Sequence, residues 1–202
     1  KLDVPTVIGR RVLQMQEIWA DLYADEDLRD RPDHWDRLVE DGEALPLGLQ
    51  SIWVMHAGGH TPASVSYVVG DAIFAHDTLM MPASGSVRAD FPGGSAAELW
   101  STIRRILNLP RETRVFIGHD YGDEPACMAS IADHRAGNAH AKDGITRAEF
   151  IETREARDAT LELPDRMLHA LQVNLRGGRL PEPDAQGRAV LRVPLDRFEP
   201  GR

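Results

Sequence analysis

A mixed α/β domain is what this chain predicts, on three local signals. The first is a β-hairpin: Val65, Tyr67 and Val69 alternate with smaller residues, Gly70-Asp71 makes a two-residue turn, and Ala72 to His76 returns. The second is helical periodicity, seen in Val12, Met15, Ile18, Trp19 and Leu22 and again in Leu99, Ile103, Ile106 and Leu107. The third is a pair of capping-box sequences, Ser95 with Glu98 and Thr146 with Glu149.

With 202 residues the chain can bury one sizeable core. Its net charge of -9 argues against a nucleic-acid or anionic-membrane surface. No run approaches the roughly 18 apolar residues of a membrane span, and Lys1 to Pro5 has no apolar signal region. A single cysteine, Cys127, excludes an internal disulfide framework and fits a reducing compartment. A soluble, cytoplasmic, single-domain protein is expected, with no membrane or nucleic-acid partner.

In chain order, Leu2 to Ile8 reads as a short buried strand closed by Gly9, and Arg10 to Tyr23 as a helix. Ala24 to Asp36, dense in charge and broken by Pro32, reads as a solvated connection. Asp41-Gly42 and Gly48 bracket a turn-rich piece. Gln50 to Ala57 is a strand with either Ile52 and Val54 or Trp53 and Met55 inward. After the hairpin, a Gly/Ser loop carries Arg88, Asp90 and Phe91, and a helix runs from Ser95 to about Leu107. Val115 to Ile117 is a strand leading into Gly118-His119-Asp120-Tyr121. The remainder reads as mostly helical, with Pro164 opening a helix to about Arg176, and Ala189 to Leu195 forming a strand or an extended tail. His34, His56, His134 and His169 read as surface or helix residues, and Cys127 as a small packed hydrophobe.

If the hairpin closes at Gly70-Asp71, Val69 pairs with Ala72 and Ser64 lies opposite Asp77. His60 sits four residues before Ser64, on a loop freed by Gly58-Gly59 and bent by Pro62. An imidazole and a carboxylate therefore meet at one end of the hairpin, and His119 follows another strand. Nitrogen with carboxylate donors suits Zn(II) or Fe(II). Each residue also has a plainer account. His60 could cap or pack, Asp77 could satisfy loop amides, and His119 with Asp120 and Tyr121 could form a structural hydrogen-bond cluster.

Three stretches carry a family resemblance: His60 through Asp77, Arg88-Ala89-Asp90-Phe91-Pro92-Gly93-Gly94, and Gly118-His119-Asp120-Tyr121. Together with Asn138, Leu171-Gln172-Val173-Asn174 and Leu180-Pro181, they resemble the metallo-β-lactamase superfamily. Within it the chain looks most like the persulfide dioxygenases and the bacterial β-lactamase hydrolase-like proteins. The resemblance implies an αββα sandwich, here mainly its C-terminal portion. The family's His-x-His-x-Asp-His motif is not among these 202 residues. The first sheet and a further His ligand are therefore expected from preceding sequence or a partner chain, because a bare half-sandwich exposes an apolar face.

Carried over residue by residue, the resemblance makes His60 and Asp77 ligands of an Fe(II) site. His119 lies beside that metal, or ligates the second ion where two Zn(II) are held. Catalytic roles fall to Asp77 and to Tyr121, which resembles a tyrosine that hydrogen-bonds ligand or substrate. Arg88, Asp90, Phe91 and His140 fall at the substrate pocket. His140 stands where glutathione-using members carry an arginine, and neutral imidazole is a poor replacement for a bidentate guanidinium. His76 stands where glycine is common, and in a regular strand its side chain points away from Asp77. The implied reaction is oxidation of a thiol-bound sulfane sulfur to sulfite by O2, with a small thiol or persulfide as substrate and self-association into a homo-oligomer possible. The alternatives are a dizinc glyoxalase II-like thioester hydrolase and a non-catalytic interaction domain.

Overall fold

The computed structural model describes residues 4–120, 124 and 126–195. In chain order the elements are β1 (Val7–Gly9), α1 (Val12–Tyr23), β2 (Arg37–Val39), β3 (Ala44–Leu47), β4 (Gln50–His56), β5 (Val65–Val69), β6 (Ala72–His76), α2 (Ala96–Leu107), β7 (Arg114–Ile117), β8 (Met128–Ser130), α3 (Ile131–Gly137), α4 (Arg147–Asp158) and α5 (Met167–Asn174). They fall into two compact units. One combines the residues up to Leu38 with those from Leu161 onward, and the other is Val39–Thr160.

The first unit joins two distant stretches of chain through buried polar groups. Gln16, fully buried on α1, donates through Nε2 to Leu175 O (2.9 Å) and accepts from Arg31 N (2.8 Å). Arg176 and Asp25 form a buried ion pair at 2.8 Å. The charged stretch 24–36 is not the solvated connection that its composition suggests: it holds two short 3-10 turns and buries Leu28 completely and His34 nearly so. Alternating charge hid one apolar anchor, and one such anchor is enough to fix a turn. Pro164 precedes α5 but does not begin it, and Ala189 to Leu195 forms no strand.

The second unit is built on a six-stranded sheet of order β3-β4-β5-β6-β7-β8. Neighbours pair antiparallel except β6 and β7, which run parallel because α2 carries the chain back across the sheet between them. The hairpin closes as its sequence requires, with Val69 opposite Ala72 and Gly70 at φ 57°, the positive angle such a turn demands. Val68, Ile73, Val115 and Ala129 lie in register on one face. That face packs under α2, whose Leu99, Ile103, Ile106 and Leu107 are all fully buried. Each such side chain stabilises the fold by about 1.5–3 kcal/mol relative to leaving it exposed.

On the other face a second row crosses five strands: Val54, Tyr67, Phe74, Phe116 and Met128. Phe74 and Phe116 stack with centroids 5.2 Å apart, and Phe74 and Met128 remain 48% and 42% exposed. In β4 the choice between inward pairs has a mixed outcome: Val54 and Met55, on opposite faces, are both buried. β3 lies in what reads from sequence as turn, and β8 in what reads as helix. At four and three residues neither is long enough to show a period. No helix among the described residues is long and apolar enough to cross a membrane.

Candidate metal centre

His60 is set by contacts to the backbone of the two residues before it. Gly58 O accepts from Thr102 Oγ1 at 2.6 Å, and Gly59 O accepts from Ser95 N at 2.8 Å. The two glycines permit this approach: a Cβ on Gly59 would lie 2.3 Å from Leu99 Cα, and one on Gly58 would lie 2.3 Å from Glu98 Oε1. Gly59 also sits at φ 134°, where L side chains are strained. Ser95 caps α2, accepting from Glu98 N, but the expected capping box is only half made, because the Glu98 carboxylate reaches His56 Nε2 at 3.2 Å.

The His60 ring is then oriented by the neighbouring loop. Its Nδ1 lies 2.8 Å from Arg88 O, and the ring meets Phe91 edge-on at 5.2 Å. A carbonyl only accepts, so Nδ1 carries the proton and Nε2 is left with its lone pair, the arrangement of a metal-ligating histidine. The loop is itself braced. Arg88 binds Asp90 through two 2.7 Å hydrogen bonds and lies 4.6 Å over the Phe91 ring. Beneath it, the buried pair Arg154–Asp158 of α4 donates to Ser86 O (2.9 Å) and accepts from Ala89 N (2.8 Å).

His140 is buried under the same loop, where its Nδ1 accepts from Ser86 N at 3.0 Å and a Cβ on Gly85 would strike it at 2.3 Å. Burial, helped by Arg154 and Arg157, pushes His140 down to about 4, so it stands neutral as a prop for the loop. Asn138 ties this corner together, donating to Gly85 O and accepting from the amides of His140 and Ala141.

Asp77 begins where β6 ends. Its Oδ1 lies 3.2 Å from His119 Nε2 and its Oδ2 lies 3.3 Å from His76 Nδ1. Burial pushes the Asp77 carboxyl up, but the imidazoles of His76, His60 and His119 together hold it below the ordinary carboxylate value. Oδ1 is nonetheless buried and accepts no hydrogen bond, since the His119 contact is an ion-pair approach without hydrogen-bond geometry, and such an oxygen suits a cation.

His76 does not point away from Asp77, as a regular strand would have it. The β6–β7 register slips between Phe74 and His76, and His76 takes φ 44°, which turns its ring onto the carboxylate. That conformation costs a non-glycine residue roughly 1–2 kcal/mol. Gly118 makes room for the group, since a Cβ there would lie 3.0 Å from Asp77 Oδ1 and 3.4 Å from the His76 ring.

Tyr121 lies outside the described residues. Cys127 is exposed just ahead of β8, not packed; His134 lies in the helix α3, where it is fully buried, and His34 is buried in a 3-10 turn. Sequence reasoning missed the Arg154–Asp158 support, whose i,i+4 spacing reads as an ordinary surface pair, and it missed the turn at His76. The residue types, two imidazole nitrogens and a carboxylate oxygen, fit Zn(II) or Fe(II), and the bare Asp77 Oδ1 fits a cation at that place. Among the described residues no group of three or more His, Cys, Asp or Glu side chains converges on one point.

Comparison with known proteins places these features in context. The profile of the metallo-beta-lactamase superfamily matches residues 7–119. A beta-lactamase hydrolase-like protein of Agrobacterium fabrum is 48% identical over 98% of this chain and 47% of its own length, so the chain spans about half of that relative. A "probable metallo-hydrolase" of Burkholderia pseudomallei is 43% identical over 94% of this chain and 69% of its own. Among solved structures, ETHE1 from Myxococcus xanthus superposes with a TM-score of 0.65 at 32% identity, covering 72% of this chain and 62% of its own.

Proposed function

This chain belongs to the metallo-beta-lactamase superfamily, and from that premise we propose that it carries part of the active site of a metal-dependent enzyme that oxidises a thiol-bound sulfane sulfur to sulfite with O2. The observation that carries the proposal is the half-buried Asp77 carboxylate, whose buried Oδ1 accepts no hydrogen bond and which is faced by imidazoles. The oxidative choice draws on the sequence resemblance to persulfide dioxygenases and on the structural similarity to ETHE1.

His60 through Nε2 and Asp77 through Oδ1 would hold the ion. An Fe(II) ion in a two-histidine, one-carboxylate setting supplies open coordination positions and redox chemistry. The protein residues do the rest. Arg88 O fixes the His60 tautomer, and Phe91 packs edge-on against that ring. The Arg88–Asp90 pair shapes the wall past which a small thiol or persulfide would enter. His119 Nε2, 3.2 Å from Asp77 Oδ1, stands beside the place the ion would take.

A second reading, hydrolysis of a thioester by a dizinc centre, is favoured by the Burkholderia relative and by the Asp77–His119 contact, since both side chains would then face the second ion. The deciding experiment loads the protein anaerobically with Fe(II) or Zn(II) and follows O2 uptake on adding a small persulfide, beside hydrolysis of a thioester. O2 uptake with sulfite release only in the iron form is the expected result. Thioester turnover in the zinc form without O2 uptake overturns it in favour of the hydrolase, and neither activity overturns both in favour of a non-catalytic domain.

A further inference from the structure

The strained residue beside the candidate ligand has a use. His76 occupies φ 44° at a slip in the β6–β7 register, and the consequence of that backbone turn is a contact between its Nδ1 and Asp77 Oδ2 at 3.3 Å. Gly118 leaves the space the ring lies in. His76 holds a backbone conformation that L side chains rarely adopt, where glycine would fit without strain, and what the imidazole adds there is a ring nitrogen 3.3 Å from one carboxylate oxygen.

We propose that His76 is a positioning residue that pins Oδ2 of Asp77, so that this carboxylate offers a single oxygen to a single ion and does not bridge two. The inference rests on the reading of Asp77 as a metal ligand. A free carboxylate can place one oxygen on each of two ions, and His119, 3.2 Å from Asp77, is at hand as a nitrogen donor for the second. With Oδ2 faced by His76 at 3.3 Å, the oxygen left for an ion is Oδ1, which accepts no hydrogen bond and which His119 flanks at 3.2 Å.

Two substitutions separate the donor from the backbone. His76→Gly relieves the positive φ and removes the donor. His76→Asn also tolerates positive φ and carries its amide nitrogen on Cγ, where the imidazole carries Nδ1. Metal-free protein and both variants are titrated with Zn(II) and with Co(II). Bound ions per chain are counted by elemental analysis after desalting, cobalt absorption reports the donor set, and thermal unfolding of the metal-free proteins checks folding.

The expected result is one ion per chain in the parent and in His76→Asn, and two in His76→Gly, whose metal-free melting temperature is no lower than the parent's. One ion in His76→Gly with the parent's affinity and spectrum, two ions in the parent, or a His76→Asn count equal to that of His76→Gly would each overturn the inference. Persulfide-dependent O2 uptake in the same iron-loaded preparations keeps the two proposals apart. Uptake with an unchanged count in His76→Gly sinks the role of His76 alone. The expected counts without uptake sink the dioxygenase alone.

Discussion

The two sides of the candidate centre are built on opposite plans. His60 is held by a glycine pair locked against α2, a backbone carbonyl at Nδ1 and a loop braced from α4. Asp77 and His119 lean on each other at a strand end, with His119 half-exposed at 44% and Asp77 at 27%. One donor is fixed before any ion arrives, and the other pair has contacts it must rearrange. The contrast teaches where affinity and adaptability are separately encoded: preorganisation on the His60 side lowers the cost of binding, while His119 on the other side is the more exposed group and the freer to move.

The strongest way to break the contrast is to unlock the fixed side from below. Arg154→Ala strands the Asp158 carboxylate without its buried partner, and a loss of about 3–5 kcal/mol is expected in urea unfolding. The same variant should weaken metal binding because the 86–89 backbone loses its brace. Acid should do similar damage through His140. Its value in the fold, about 4, lies below the ordinary 6.5, so the neutral form is favoured by folding. Stability is therefore complete above about pH 6.5 and is lost as pH falls toward 4, with about 3 kcal/mol at stake. Unfolding midpoints across that window should fall, and His140→Asn should flatten the slope.

Gly59→Ala tests the same side from above. A Cβ 2.3 Å from Leu99 Cα at φ 134° forces the loop off α2, for about 1–3 kcal/mol in unfolding and a metal affinity at least tenfold weaker by titration. The smallest effect sharpens the comparison by control. Asp71 and Arg114 pair at the hairpin's far end with both side chains well exposed, so Asp71→Asn should move unfolding by less than about 1 kcal/mol and leave metal binding unchanged. A large loss of ion binding there would mean that the turn, and not the strand end, sets Asp77.

Much of this was readable in the amino-acid order. The hairpin register, α1, α2 and α4 follow from period and caps, which are local signals, and the placing of His60, Asp77 and His119 near strand ends or in adjoining loops follows from that register. What the order hides is of another kind. Leu28 in a charged stretch and the Arg154–Asp158 pair look like surface residues until tertiary contacts bury them. His76 looks like the last residue of a strand, and only its slip against β7 shows that it turns back on its neighbour. β3 and β8 are too short for periodicity and exist because a neighbouring strand offers them partners.

The aromatic row on the outer face of the sheet, with Phe74 and Met128 still in contact with solvent, sets how this polypeptide behaves at the bench. A stripe of that kind repels water on its own account, so dye fluorescence and concentration-dependent light scattering should both track it. Met128→Thr should dull both signals while the donor residues keep their hold on an ion, making handling properties and chemistry separately adjustable in one sheet.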